Sequence, residues 1–469
     1  MRMNRILLWA LPVVLLSSCK DFPDVKPKTQ IDAEVAFKDE QGFMDALTGV
    51  YLGLNADALY GKELSYGLVD VLGKQHTRFT STFHEYYYAS LYQYTNVAVR
   101  AKTDGIYKGM YKALANDNNL IANLGRADRK LFRGVNYSII NGEAHALRAF
   151  MHFDLLRLFG ASPAAAGGNT TKAIPYMDAL TVDALPRLTV AEMLTKIQAD
   201  LDVAAAALKP VDPIVPGSTT TVTTYLRDRY YKFNYFAVKA LQARVYLYAG
   251  DNEKALAAAK EVIESAVFTF TPDFEMDNGN KVFTEELVFA LFKADMLNIS
   301  TNYFTPLATN LLTKNNDAEF QQVYESTADY RYAKITLLDN ASTNIRYSTK
   351  LMQATGLASS MNKMPVIRIS EMYYIAAECL KATDMSAAVG YLNTVRRARN
   401  VSADLQPTMT ETQFQNEIFK EYRKDLYCEG QLFYYYKRLN LPQIGGVTAD
   451  NSVYVLPLPD NEVEYGNGK

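Results

Sequence analysis

The 469-residue chain reads as a mostly α protein, a scaffold of paired helices interrupted by long irregular inserts. Three observations carry that reading. Apolar residues recur at helical spacing over most of the length, a helix pair returns 133 residues further on, and the period fails in a few long stretches rich in Asn, Thr, Ser and Tyr.

In chain order, the periodic stretches are 34–54, 105–124, 141–159, 190–208, 235–249, 253–265, 370–381, 386–398, 411–427 and 432–439. Between them, 160–172 carries Ala-Gly-Gly-Asn-Thr-Thr and 209–224 carries three prolines and a Ser/Thr run, so both read as loops. Residues 268–367 mix short apolar runs such as 287–292 with polar and tyrosine-rich segments, and 60–99 is similarly irregular. After residue 18 the chain is expected to form one domain, a helical scaffold with inserts near 60–99, 160–189, 209–224 and 268–367.

The repeat aligns Ala243, Tyr246, Gly250, Ala255, Ala259 and Val262 with Ala376, Cys379, Thr383, Ala388, Leu392 and Val395. Small residues at these offsets let two helices of a hairpin approach closely, with Gly250-Asp251 at the turn. The offsets match tetratricopeptide helix pairs, and 141–159 with 190–208 reads as a third, split pair. Such pairs bury their faces only by stacking, which makes them scaffold rather than chemistry.

The N-terminus has the form of a secretory signal. Arg2 and Arg5 precede an apolar run over 6–16 that is too short to span a bilayer, and Leu16-Ser17-Ser18-Cys19 follows it. Those four residues resemble a bacterial lipobox. The resemblance implies cleavage before Cys19 and lipidation of its thiol, which anchors a protein to a membrane without spanning it. Losing Arg2 and Arg5 takes the 49 basic residues to 47 against 51 acidic ones, a formal charge of −4. That balance argues against a nucleic-acid partner. No later run of ~20 apolar residues offers a membrane span.

Cys379 and Cys428 belong to no C-x-x-C pair or zinc spacing. Cys379 falls on an apolar stripe and reads as a buried thiol, with a disulfide to Cys428 left open. Of the four histidines, His145 and His152 stand seven apart on one helix, the spacing of a packed face. The chain has no H-E-x-x-H, nucleophile elbow, P-loop or G-x-G-x-x-G. The expectation is a non-enzyme without metal or cofactor.

Tyrosine is the unusual feature: 33 residues, against a single tryptophan, Trp9, inside the signal. The segment 83–94 reads FHEYYYASLYQY. If extended, it puts Tyr86, Tyr88, Tyr92 and Tyr94 on one side. A tyrosine offers a flat apolar face and a hydroxyl, suited to stacking on a sugar and bonding its rim. The same rings also fit a buried strand. Tyr303, Phe304, Tyr324, Tyr330 and Tyr332 form a looser group in the 268–367 insert, and Asp70, Gln75, His76 and Arg78 are candidate polar neighbours. The ligand-binding candidates are therefore Tyr86, Tyr88, Tyr92, Tyr94, Asp70, Gln75, His76, Tyr303 and Tyr324.

The helical pieces also carry a family likeness. The stretch 142–160, GEAHALRAFMHFDLLRLFG, resembles the G-E-A-x-x-L-R-A-x-x-x-F-D-L-x-R-x-[FW]-G helix of the RagB/SusD family. PVIRISEMYYIAAE at 365–378 and EIFKEYRKDLYCEGQLFYYYKR at 417–438 resemble two later blocks, and Leu456-Pro457-Leu458-Pro459 with Glu462 resembles the closing segment. The motifs occur in family order across most of the chain. The likeness implies a nutrient-binding lipoprotein on the bacterial outer membrane, facing the cell exterior and capping a TonB-dependent (SusC-like) transporter. Its implied ligand is an oligosaccharide, with a peptide or another oligomeric nutrient as the alternative, or a lid with no ligand affinity of its own. Glu143, Arg148, Asp154, Arg157, Glu378, Arg396, Glu421 and Arg423 lie on these helices and read as charges paired to fix helix register. No family motif carries a ligand residue onto a position here.

Overall fold

Seven of the ten scaffold helices begin where the sequence supplies a side-chain acceptor for unpaired amide groups; those starting at Asn136, Ile369 and Leu432 do not. The computed structural model describes residues 33–181, 183–340, 343–353 and 361–466; Cys19 and the segment before it lie outside them. Ten helices make the scaffold: α1 (Glu40–Leu54), α2 (Val97–Arg126), α3 (Asn136–Phe159), α4 (Val190–Leu208), α5 (Tyr235–Ala249), α6 (Asn252–Glu264), α7 (Ile369–Leu380), α8 (Met385–Ala398), α9 (Glu411–Asp425) and α10 (Leu432–Arg438). Asp39 caps α1 through Gly42 N, and Thr189 and Thr410 form capping boxes with Glu192 and Gln413 at the starts of α4 and α9.

The helices pack on their neighbours in sequence order: α1 on α2, α2 on α3, α3 on α4, α4 on α5, α5 on α6, α6 on α7 and α7 on α8 and α9. The 133-residue repeat is visible in the caps. Asp251 caps α6 through Lys254 N, and Asp384 caps α8 through Ala387 N. At the first of these turns Gly250 takes φ +83°, a left-handed conformation that ends α5 at low steric cost. The expected third pair is also present, since α3 packs along α4 although 30 residues separate them.

The inserts leave the scaffold between helices and return to it. The longest, between α6 and α7, is closed at its base by two antiparallel strands, Leu287–Phe292 and Lys363–Arg368, in which only Phe292 is exposed. Between them lie short helices and the hairpin Thr336–Asp339/Ile345–Ser348. One hydrophobic cluster runs from Phe43 on α1 to Leu456 near the C-terminus and includes residues of the inserts.

A buried ionic network fixes the long insert to the late helices. Arg368 meets Glu286 at 2.9 Å and Glu429 at 2.8 Å, while Arg399 meets Glu286 at 2.6 Å and Asp425 at 2.9 Å. Arg331 pairs with Asp329 and Glu421, both at 2.7 Å. Seven of the eight helix charges read from the sequence are paired as well: Glu143 with Arg229, Arg148 with Asp200, Asp154 with Arg157, Glu378 with Arg438, and Arg396 with Glu421. Arg423 departs from that expectation, with no ion pair to it among the described residues, and it is half-buried at the helix surface.

The connection between the periodic stretches 411–427 and 432–439 begins two residues earlier than the period suggests. α9 ends at Asp425, and Gly430 stands in the turn at φ +68°. A Cβ there would lie 2.2 Å from the carbonyl oxygen of Leu64, so glycine lets the turn press against the 60–99 insert. Cys379 and Cys428 are both buried free thiols.

Candidate functional site

The inserts 60–99 and 268–367 meet along one face. Thr77 N and Arg78 N both donate to the carbonyl of Thr313, at 2.9 and 3.1 Å. Thr77 Oγ1 donates to Glu319 (2.6 Å), and Glu85 N donates to the Asn310 side chain (3.3 Å). The two loops thus brace each other, and side chains at their tips are left free. Phe83 is 94% exposed, with Thr80, Ser81 and Thr82 exposed beside it. Leu307, three residues before Asn310, is 82% exposed. Tyr87, Tyr88 and His84 are half-buried, with the rings of Tyr87 and Tyr88 edge-to-face at 5.2 Å. Apolar rings among hydroxyls and an open approach suit the flat faces and polar rims of sugar rings.

Behind this face lies a charged layer. Lys62 and Lys102 both reach Glu63 and Glu85 at 2.8–3.3 Å, and Lys102 Nζ stands 4.4 Å from the centre of the Tyr86 ring. The two ammonium groups hold the Glu85 carboxyl below its ordinary value against the effect of burial. Tyr303 joins this layer, its hydroxyl 3.4 Å from Lys62 Nζ.

The structure corrects the picture of an extended tyrosine row. Tyr87–Ser90 forms a helical turn, and Tyr92 follows at φ +56°. The four rings therefore do not share one side. Tyr86 is fully buried and donates to Glu63 (3.0 Å), and Tyr94 is buried and donates to the Val453 carbonyl (2.6 Å). Tyr88 and Tyr92 remain half-buried, the latter donating to the Leu72 carbonyl (2.8 Å). Tyr92 and Tyr94 border an open depression of about 420 Å³ with Gln93, Thr95, Asn96 and Ser452. Tyr303 is half-buried, whereas Tyr324 is buried and packs against Tyr332.

The polar candidates are also inside. Asp70 accepts from Cys428 N (2.7 Å) and Gly430 N (2.9 Å), so its task is to hold the α9–α10 turn. Burial pushes its carboxyl up to about 8. Gln75 is buried and donates to the Arg423 carbonyl. His76 is held down to about 3, by burial and by the nearby Lys314 ammonium. Asp70, His76 and Cys428 approach one another closely enough to suggest a metal site. The His76 nitrogens are taken, however: Nε2 faces the Tyr66 carbonyl at 3.1 Å and must donate, leaving Nδ1 to accept from the Tyr427 hydroxyl at 3.0 Å. His145 and His152 are likewise engaged, with Asp200 and with Arg148 O and Met177 N.

Phe83 and Leu307 were not among the sequence candidates. The available signal was chemical: each stands beside small hydroxyl residues, Thr80-Ser81-Thr82 and Thr305-Pro306-Leu307-Ala308-Thr309.

Comparison with known proteins places the fold and the family. A family model described as starch-binding and associating with the outer membrane matches residues 21–247, and the model of the SusD family matches residues 241–465. No curated protein sequence matches the chain. Among solved structures, a SusD superfamily protein from Bacteroides thetaiotaomicron is similar at 22% identity and TM-score 0.71, covering 91% of this chain and 98% of its own. A laminarin-binding SusD-like protein is similar at 18% identity and TM-score 0.68, with coverage of 92% and 98%. Surface glycan-binding protein A from Bacteroides fluxus is similar at 18% identity and TM-score 0.66, with coverage of 92% and 97%. At these identities the structural likeness is one of fold. The two family models together span nearly the whole chain, from residue 21 to 465, and the helical-pair scaffold agrees with them: the chain belongs to the SusD/RagB family, whose members are binding proteins and not enzymes.

Proposed function

We propose that the protein is a cell-surface glycan-binding lipoprotein, anchored through Cys19 to the outer membrane, which captures an oligosaccharide and delivers it to a TonB-dependent transporter. The observation that carries the ligand reading is the open aromatic face built by two braced inserts, with Phe83 free at its tip and Tyr87 and Tyr88 beside it. Family membership and the glycan ligands named for two structural neighbours support the same class. Of the nine sequence candidates, Tyr88, Tyr92 and Tyr303 keep enough exposure to touch a ligand. Of the buried ones, Tyr86 stands in the charged layer behind the face, and the other five hold the surrounding structure together.

The test is calorimetric titration of the chain from Lys20 onward against oligosaccharides of the laminarin and starch types and against a peptide panel. Binding to a glycan, weakened about tenfold by Phe83→Ala or Tyr88→Ala, is the expected result; that factor corresponds to ~1.4 kcal/mol, ordinary for truncating an aromatic anchor. Binding to peptides alone would replace the glycan reading. Silence with both, repeated with the transporter present, would leave a lid without its own affinity.

A further inference from the structure

We propose that the loop between α2 and α3 is a membrane-contact surface that docks on anionic lipid headgroups, an inference that rests on the anchor at Cys19. The loop has a charge pattern of its own. Residues 126–135 carry Arg126, Arg129, Lys130 and Arg133 against Asp128 alone, in a chain that is acidic overall. All four cations are exposed, Arg133 to 93% at its side chain. Among the described residues, Arg126, Arg129 and Lys130 meet no carboxylate in an ion pair.

The nearby carboxylates serve backbone amides. Asp128 accepts from Lys130 N (3.0 Å) and Asp39 from Gly42 N (3.1 Å). Glu40, with 15% of its side chain exposed, accepts from Arg133 N (2.7 Å) and from the Asn136 amide (2.8 Å). Leu131 stands among the cations, 41% exposed, at the end of the single 3-10 turn Arg129–Leu131. Cations flanking an exposed apolar side chain fit a lipid surface: guanidinium and ammonium groups meet phosphate oxygens, and the leucine enters below the headgroups.

The anchored segment joins the fold at the same place. Residues 20–32 separate Cys19 from the described chain, a reach of at most ~45 Å. The first described turn, Ala33–Ala36, leads into α1. The rings of Phe37 and Phe43 lie 4.9 Å apart, and those of Phe43 and Phe132 of the loop 5.0 Å. With the two Glu40 bonds, these contacts fix the loop beside the entry of the tether. A lipid at Cys19 therefore keeps the four cations at high local concentration over the membrane.

The test uses the chain from Lys20 onward, without lipid, and vesicles of phosphatidylcholine with and without phosphatidylglycerol. Sedimentation should show binding to the anionic vesicles only, weakening as salt rises. Arg129→Glu with Lys130→Glu should lower that binding about tenfold or more, with Tm unchanged because both side chains are exposed. Lys254→Glu with Lys260→Glu, which makes the same charge change at exposed sites on α6, should leave it unaltered. No preference for anionic vesicles, or an equal loss in both variants, would overturn the contact. The anchor is tested apart from it, by palmitate labelling of the full-length protein against Cys19→Ser. A labelled protein without vesicle preference sinks the contact alone, and an unlabelled one sinks both.

Discussion

Phe83 and Tyr86 are three residues apart and have opposite surroundings, which separates binding from folding in a single segment. Phe83 is almost wholly exposed, so Phe83→Ala should change stability by no more than about 0.5 kcal/mol while weakening the ligand. Tyr86 is enclosed, its hydroxyl on Glu63 and its ring under Lys102. Tyr86→Phe deletes a buried hydrogen bond to a charged acceptor and should cost about 1.5–3 kcal/mol, seen as a lower Tm, with affinity unchanged in calorimetry. A loss of affinity in Tyr86→Phe without a loss of stability would place the ligand inside the charged layer instead of on the open face.

Among the elements, the join between the long insert and α7–α9 depends most on ionisation. The guanidinium groups of Arg368, Arg399 and Arg331 hold the buried Asp425 carboxyl well below its ordinary value, and Arg331 and Lys424 bring Glu421 down to about 2. Both shifts are depressions. Their stabilisation is complete above the unfolded-chain values near pH 4 and is lost as pH falls through the folded ones. Asp70 works in the opposite sense: raised to about 8 by burial, it binds its proton more tightly when folded, so the penalty it imposes shrinks as pH falls from 8 toward 4. Thermal unfolding followed from pH 9 to 2 should therefore show a maximum on the mildly acidic side and a steep acid limb below about pH 4. Asp425→Asn leaves three buried arginines short of a partner and should cost about 3–5 kcal/mol while flattening that limb. A Tm that holds steady down to pH 2 would remove the network from the account of stability.

At the scale of the whole molecule, what was legible in the sequence followed from local period and what was not followed from distant contact. Most of the long helices are evident because each buries one stripe, although α3 and α5 are buried almost all round, and the paired charges because a carboxylate or guanidinium on an apolar helix needs a partner. The tyrosine segment has no such guide. Tyr86 is inside because Glu63 and Lys102 enclose it, and Tyr94 because the C-terminal chain crosses it, and neither neighbour is close in sequence. That crossing has a consequence for cooperativity. Leu456 N donates to the Leu158 carbonyl at the end of α3 (3.0 Å), and Arg100 of α2 donates to the Leu458 carbonyl (2.7 Å), while Val453, Tyr454 and Leu456 join the main core. The end of the chain is thus packed on its first third. Removing residues 451–469 deletes three buried apolar side chains, each worth about 1.5–3 kcal/mol, from the oldest part of the stack in chain order. In scanning calorimetry the intact chain should unfold in one transition, and the truncated chain in one transition at lower temperature. If truncation instead splits the melt and leaves a later component unmoved, the early and late helices fold as separate units and the continuous core does not couple them.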